Sequence, residues 1–357
     1  MTDPTSVHFG LDTFGDVTWD ANGDPLPQAQ VLRDVVEQAV LADRVGIDAF
    51  SVGEHHRADF AISAPDVVLA TIAGRTQRQT LGTAVTVLSS DDPVRVYERT
   101  ATLDALSGGR AEVTLGRGSF TESFPLFGFD LSDYERLFSE KLDLFARLRS
   151  EGHVSWSGTV RGPLDAEVYP KTERGSVNAW VGVGGSPESV VRAARYGFPL
   201  MLAIIGGDAA RFRPYVDLYH RALEELAPEA PGGAAGPLPV GVHSPGFVWD
   251  DDEEAADLLF PHFKANRDRI GAERGWPPAT RHEYDHEIAE GSLYAGSPET
   301  VAVKIARTVR ALGAARFDLK YSNGTMPHEQ LMRSIELYGT KVVPRVRELL
   351  AEPALER

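Results

Sequence analysis

The 357-residue chain contains no cysteine, an absence that removes disulfides, thiolate metal sites and cysteine nucleophiles together. A metal site would have to use His, Asp and Glu, and the adjacent histidines at 55 and 56 point apart with no third ligand spaced to join them, so none is expected. No stretch of roughly 18 apolar residues occurs, which excludes a membrane-spanning helix from the expected fold. The first residues, Met1-Thr-Asp-Pro-Thr-Ser6, lack the basic and apolar segments of a secretion signal, and a soluble cytoplasmic protein is expected. Positive charge is scarce: 36 Lys and Arg stand against 52 Asp and Glu, a formal net charge of −16. Such a balance repels nucleic acid and anionic membranes in the mean, so an anionic cofactor would need a local cationic pocket. No Gly-x-Gly-x-x-Gly follows the first apolar run, and a built-in NAD(P)H domain is unsupported.

What the chain does have is a regular alternation of short apolar runs and helix-period segments. Eight runs read as strands: Val7–Phe14, Ile47–Val52, Leu81–Leu88, Glu112–Leu115, Ala179–Val183, Leu200–Ile205, Val240–Val248 and Phe317–Tyr321. Helical patterns follow them at Ala29–Arg44, Asp66–Arg75, Val94–Leu106, Tyr134–Ser150, Glu188–Tyr196, Ala209–Leu226, Glu253–Ile270 and His328–Leu350, with an added helix at Glu299–Leu312. Eight β/α units in one chain predict an α/β fold of the closed (β/α)8 barrel class, a single domain over residues 1–357. Two long loops, Gly116–Asp133 and His153–Val177, interrupt the rhythm, the second carrying a hairpin-like Val154-Ser-Trp156. Insertions that follow strands belong at the carboxyl end of the barrel, where such folds place their sites. Ala227–Pro239 reads as a flexible connection on the opposite rim.

Val181-Gly-Val-Gly-Gly-Ser-Pro-Glu-Ser189 is the most informative segment, because an apolar strand runs into glycines and then into a serine-capped, proline-started helix. Gly184 and Gly185 leave the backbone open to close approach. The free N–H groups and the positive end of the helix then face any anion, with the Ser186 and Ser189 hydroxyls beside them. Ser297-Pro-Glu-Thr-Val301 repeats the cap without the glycine-rich strand, so the cap alone signals only a helix start. At the end of the second strand, Gly53-Glu-His-His-Arg57 places Ala49, Ser51, Gly53 and His55 on one face. That small-residue face points into the barrel mouth and makes His55 the candidate for proton transfer. Leu115-Gly-Arg-Gly118 sets Arg117 at the same end, where a guanidinium suits a phosphate; Arg136, at the next helix start, is a second candidate cation.

Taken together, Val52-Gly-Glu-His-His56, Leu81-Gly-Thr-Ala-Val-Thr-Val-Leu88, Asp92-Pro-Val-Arg95, Leu103-Asp-Ala-Leu-Ser-Gly-Gly-Arg110, Gly116-Arg-Gly118 and Ala193-Ala-Arg-Tyr-Gly-Phe-Pro199 resemble the bacterial luciferase-like flavin monooxygenases, in order and in spacing. The resemblance runs from about Val7 to Tyr338. It implies FMN or its reduced form bound at the carboxyl ends of the strands, with Arg117, Gly185, Ser186 and Ser189 at the phosphate beside Gly184 of the same turn, and Arg136 less well aligned. It further implies His55 beside the reactive ring, and Ala84 and Val85 packed against the isoalloxazine at a non-proline cis peptide. A small organic substrate, O2, a separate flavin reductase and homodimer packing through Asp66–Arg75 and Val94–Leu106 are implied as partners. Two alternatives stay open: a deazaflavin-coenzyme-dependent hydride-transfer enzyme, and a noncatalytic flavin-binding subunit. Gly116 stands where the luciferase catalytic subunit has cysteine, which predicts extra room by the flavin, and the segment Gly275–Gly291 is short, so light emission is not expected.

Overall fold

The computed structural model describes residues 7–20, 22–118, 120–226 and 237–352. At its centre are β1 (His8–Thr13), β2 (Ala49–Val52), β3 (Thr80–Thr83, resuming at Thr86–Val87), β4 (Val113–Gly116), β5 (Ala179–Val183), β6 (Leu200–Ala203), β7 (Val240–Val248) and β8 (Arg316–Lys320). All pair in parallel in the order β3-β2-β1-β8-β7-β6-β5-β4, and the path ends on Thr86–Val87, the continuation of the strand where it began. The ring thus closes through β3, whose Leu81 also bridges Ala111 just ahead of β4.

Helices separate the strands because each begins and ends on a strong local signal. Asp92 and Ser186 cap their helices with side-chain oxygens and place Pro93 and Pro187 where a missing N–H costs nothing. Gly108 closes the first of these at φ 69°, the left-handed conformation that favours glycine. The helices pack on the outward faces of the strands, where Phe9, Leu11, Phe50, Leu81, Val113, Val181, Leu202, Val242, Phe317 and Leu319 are buried in one continuous core. The inward faces differ from the apolar runs expected of doubly buried strands. They carry glycine and charge: Gly10 and Asp12 on β1, Glu112 just before β4, and Arg316, Asp318 and Lys320 on β8. Arg316 makes this tolerable by pairing with both Glu112 and Asp318 inside the barrel. A Cβ at Gly10 would lie 2.1 Å from the Asp318 Oδ1, so that ring position admits only glycine.

Several boundaries differ from the sequence reading. The third strand is broken, with a cis peptide between Ala84 and Val85 as the resemblance implied and a 3₁₀ turn at Leu88–Ser90. The long helix Asp252–Arg274 continues through Pro261, and the last helix splits into His328–Leu337, a π turn at Tyr338–Val342 and Val343–Ala351. Within the short segment 275–291 lies a helix the pattern did not show, Arg281–Ala289, fixed by a capping box between Thr280 and Glu283 and by buried Tyr284. A short strand, Tyr294–Gly296, pairs with β7 ahead of the second Ser-Pro-Glu cap. Val154–Trp156 does form a hairpin, with Leu164–Ala166, held to the helix Tyr134–Leu148 by the Trp156 indole N–H on Asp143 (2.7 Å). Of the rim connection at 227–239, residues 227–236 lie outside the described residues. No helix among the described residues is long and apolar enough to cross a membrane.

Candidate active site

A cavity of about 410 Å³ opens at the carboxyl ends of the strands, lined by His55, Ala84, Val85, Gly116, Arg117, Gly182 and Gly184, among others. One side of it is a smooth wall. Val85, on the outward bend of β3, projects toward Gly116 and Gly182, and a Cβ at Gly116 would meet the Val85 side chain at 2.5 Å. This corrects the expectation of extra room at Gly116: the space a larger side chain would fill is occupied by Val85. The bend itself is held by Glu54, whose N–H reaches the Val85 carbonyl (3.3 Å) and whose carboxylate accepts the Val87 N–H (3.0 Å). Glu54 also binds His56 Nε2 at 2.9 Å, and that hydrogen bond lifts the His56 imidazole above its usual range despite the opposing effect of burial. His56 is therefore engaged in supporting the bend, on the face opposite His55.

His55 is buried and lies in an aromatic cage. Its ring meets Phe14 edge-on at 4.8 Å and Phe120 at 5.1 Å, and tilts against Phe60 at 4.6 Å. Its N–H is tied to the Ile62 carbonyl at 2.9 Å, which fixes the backbone where strand pairing has ended. Nδ1 lies 3.7 Å from the Glu122 carboxylate, longer than a hydrogen bond but close enough for charge attraction. Burial raises the Glu122 carboxyl, yet interaction with His55, together with the backbone N–H groups of Glu122 and His56, holds the group below the ordinary carboxylate range. Glu122 sits in the loop after β4 and no periodic pattern singled it out.

Arg117 and Gly184, which opens the glycine-to-helix turn, also line the cavity. Gly185 adopts φ 103°, and the Ser186 hydroxyl accepts the Ser189 N–H at 3.2 Å while pairing with the Glu188 carboxylate at 2.9 Å. Arg117 lies over the Tyr134 ring and pairs with Glu135, whose other oxygen takes Arg192 Nη2 at 2.9 Å. Arg192 keeps a second nitrogen, Nη1, buried without a partner. Arg136 is not brought to the cavity: it is half exposed and pairs with Asp133 at 2.6 Å. The helix phase turns Glu135 rather than Arg136 toward Arg117, and Arg192, one turn beyond Ser189, shares that carboxylate with Arg117. Both were legible only as ordinary charged helix residues.

A parallel β/α barrel with a glycine-to-helix turn, an arginine and a caged histidine around one mouth is an architecture in which barrel enzymes place their sites. The chain belongs to the luciferase-like monooxygenase family, whose pattern it matches over residues 13–316, and is an oxidoreductase of that group. It is 29% identical over 330 residues to 4-hydroxyprotoasukamycin monooxygenase of Streptomyces nodosus subsp. asukaensis, covering 89% of this chain and 88% of that one. Among solved structures, monooxygenase RslO1 from Streptomyces bottropensis superposes with a TM-score of 0.79 at 23% identity, over 94% of this chain and 99% of that one. The oxygenating constituent of 3,6-diketocamphane monooxygenase from Pseudomonas putida, in complex with FMN, gives 0.73 at 17%, over 95% and 99%. An F420-dependent secondary alcohol dehydrogenase in complex with an F420-acetone adduct gives 0.71 at 18%, over 95% and 99%. At these identities the structures share the fold.

Proposed function

We propose that the protein is an FMN-dependent monooxygenase that takes reduced FMN from a separate reductase and oxygenates a small organic substrate with O2. The observation that carries this reading is the lining of one cavity, which brings together Arg117 and Gly184, the first residue of the glycine-to-helix turn, with Val85, Gly116, Gly182 and His55. The wall and the open backbone at Gly184 fit a planar ring with a phosphate tail, and the unpartnered Arg192 Nη1 fits the tail's charge. Bound reduced flavin would supply the reaction with O2. Arg117, Arg192 and the Gly184–Ser189 turn would hold its phosphate, and His55 would move a proton at Nε2 while its Nδ1 faces Glu122. Phe14, Phe60 and Phe120 exclude water from that proton.

The reading is tested by titrating FMN, and in parallel the deazaflavin coenzyme F420, into the protein and following flavin fluorescence. Tight binding of F420 and none of FMN would move the assignment to a hydride-transfer enzyme of the kind seen in the F420-dependent neighbour. Binding of FMN with no turnover on any substrate would leave a flavin-binding subunit. Arg117→Ala is expected to weaken FMN by roughly ten- to a hundredfold, the loss of one charge-assisted phosphate contact. Riboflavin, which has no phosphate, should be unaffected. Glu135→Gln is expected to tighten FMN, since its carboxylate now occupies both arginines, whereas Arg136→Ala should change nothing. Equal losses for FMN and riboflavin in Arg117→Ala would place the phosphate elsewhere.

Dimerisation belongs to the same proposal. Helices Pro65–Ala73 and Pro93–Ser107 expose Val67 and Leu106 with accessibilities of 68% and 69%, beside Tyr169. A second copy packed there would cover these apolar side chains, which share one groove with Asp66, Arg95, Glu98 and Arg99. Light scattering should give twice 38.8 kDa, and Leu106→Glu should return the mass to that of one chain.

A further inference from the structure

Across the cavity from the flat wall stands a second histidine that the function above does not use. In a ring of eight strands β7 lies opposite β3 and β8 opposite β4, so His243 on β7 faces the bend at Val85, and Asp318 and Lys320 face Gly116 and Arg117. His243 Nδ1 is bonded to Asp12 Oδ2 at 2.8 Å, and Asp12, on β1, is fully buried with its other oxygen unpartnered. Phe14 lies nearly parallel to the imidazole at 6.2 Å and also meets His55, so one ring separates the two histidines. With Nδ1 engaged, Nε2 is the nitrogen left for a ligand in the cavity. Lys320 is not a rival donor, because its ammonium is taken by Asp16 and by the Ser322 carbonyl.

Resting on the flavin reading, we propose that His243, oriented by Asp12, gives a proton to an oxygen of the organic substrate, and that this substrate is a neutral carbonyl compound. Neutrality follows from the surroundings: Asp12 behind the imidazole and Asp318 on the cavity wall repel an anion, while Phe14, Met201, Ala203, Ile205 and Pro245 give the wall its apolar lining. The bound cofactor with O2 would supply the nucleophile, and as it adds to the carbonyl carbon the C=O π pair would move to oxygen. The Nε2 proton follows it, leaving a hydroxyl and a neutral imidazole. Burial opposes the imidazolium, but the charge and hydrogen bond of Asp12, with Asp318 adding and Lys320 opposing, hold it above the ordinary histidine range. The donor form is therefore available at neutral pH.

The test uses cyclohexanone and methylcyclohexane as probes of the FMN-loaded protein, and repeats them without FMN so that a failure to bind flavin is read separately. Histidine ¹⁵N NMR should show the His243 Nε2 signal, identified by its loss in His243→Asn, moving on addition of ketone. Cyclohexanone affinity should fall about tenfold or more in His243→Asn, with methylcyclohexane unchanged and FMN affinity within twofold of wild type. Asp12→Asn should lower the midpoint of the His243 titration while leaving the ring in place. Equal losses for ketone and hydrocarbon, no binding of the ketone, or a His243 signal that ignores it would overturn the assignment.

Discussion

Replacing Arg316 by methionine is expected to destabilise the barrel by about 3–5 kcal/mol, the usual cost of removing one partner from a buried ion pair. The guanidinium is inside the ring, paired with Glu112 and with Asp318 at 2.8 Å, and all three side chains are almost fully buried. Methionine fills much of the volume but leaves two carboxylates without a counter-charge. Burial already raises the Asp318 carboxyl above its ordinary value, with Arg316 pulling it down and Asp12 and Glu112 adding to the rise. A carboxyl whose folded value lies above its unfolded one binds more protons in the folded state. Stability from that group therefore falls as pH rises from the unfolded value through the folded one. Without Arg316 the rise grows, so the variant should lose more stability at pH 8 than at pH 5. Urea unfolding at both values decides it: a loss under about 1 kcal/mol, or one that ignores pH, would show that the triad is not what supports the interior. The triple variant with Glu112→Gln and Asp318→Asn should recover much of the loss.

That charged interior is also where the sequence was hardest to read. The eight strands and their helices were legible because the outward residues repeat at two and the helical residues at 3.6, and because Asp92, Ser186 and Ser297 announce helix starts. Periodicity does not report which charges meet across a ring. Glu112 and Arg316 are 204 positions apart, and Asp12 and His243 are 231 apart; only closure of the barrel brings each pair together. His243 sits in the run Val240-Gly-Val-His-Ser-Pro245, where a lone polar residue on a small-residue face could have been noticed as inward-facing. The break in β3 left no pattern in the residues themselves and was reachable only through resemblance.

The cofactor end was legible in part for the same reason. Gly184, Gly185, Ser186 and Ser189 lie within one six-residue stretch, so local chemistry shows them as one turn. Arg117 is flanked by glycines and lies on that rim. Arg136 and Glu135 differ by one position on a helix, about 100° of rotation, and sequence alone does not fix that phase. The reading of Gly116 failed for a related reason: whether a glycine leaves a hole depends on its neighbour across the sheet, and Val85 fills this one.

His55→Ala is expected to slow turnover roughly a hundredfold while leaving the fold intact, because the histidine lies beyond the last paired residue of β2 and the proton transfer proposed for it would be worth about that much. Its aromatic neighbours are contributed by three different loops, so loss of the ring costs contacts but breaks no strand pairing. Glu122→Gln keeps the shape of the loop and removes only the charge facing Nδ1, and should give a smaller loss in kcat with FMN affinity unchanged. The measurement is steady-state product formation with reduced FMN on a ketone the wild type converts, alongside FMN titration and thermal unfolding of each variant. If His55→Ala turns over at full rate, proton transfer belongs to another group, and His243, on the other side of Phe14, is the one whose loss should then abolish it. If instead both single variants are slow and the double variant is no slower than either, the two histidines act in one proton-transfer step. Losses that multiply would assign them to two: one at the flavin side of the cavity and one at the substrate oxygen.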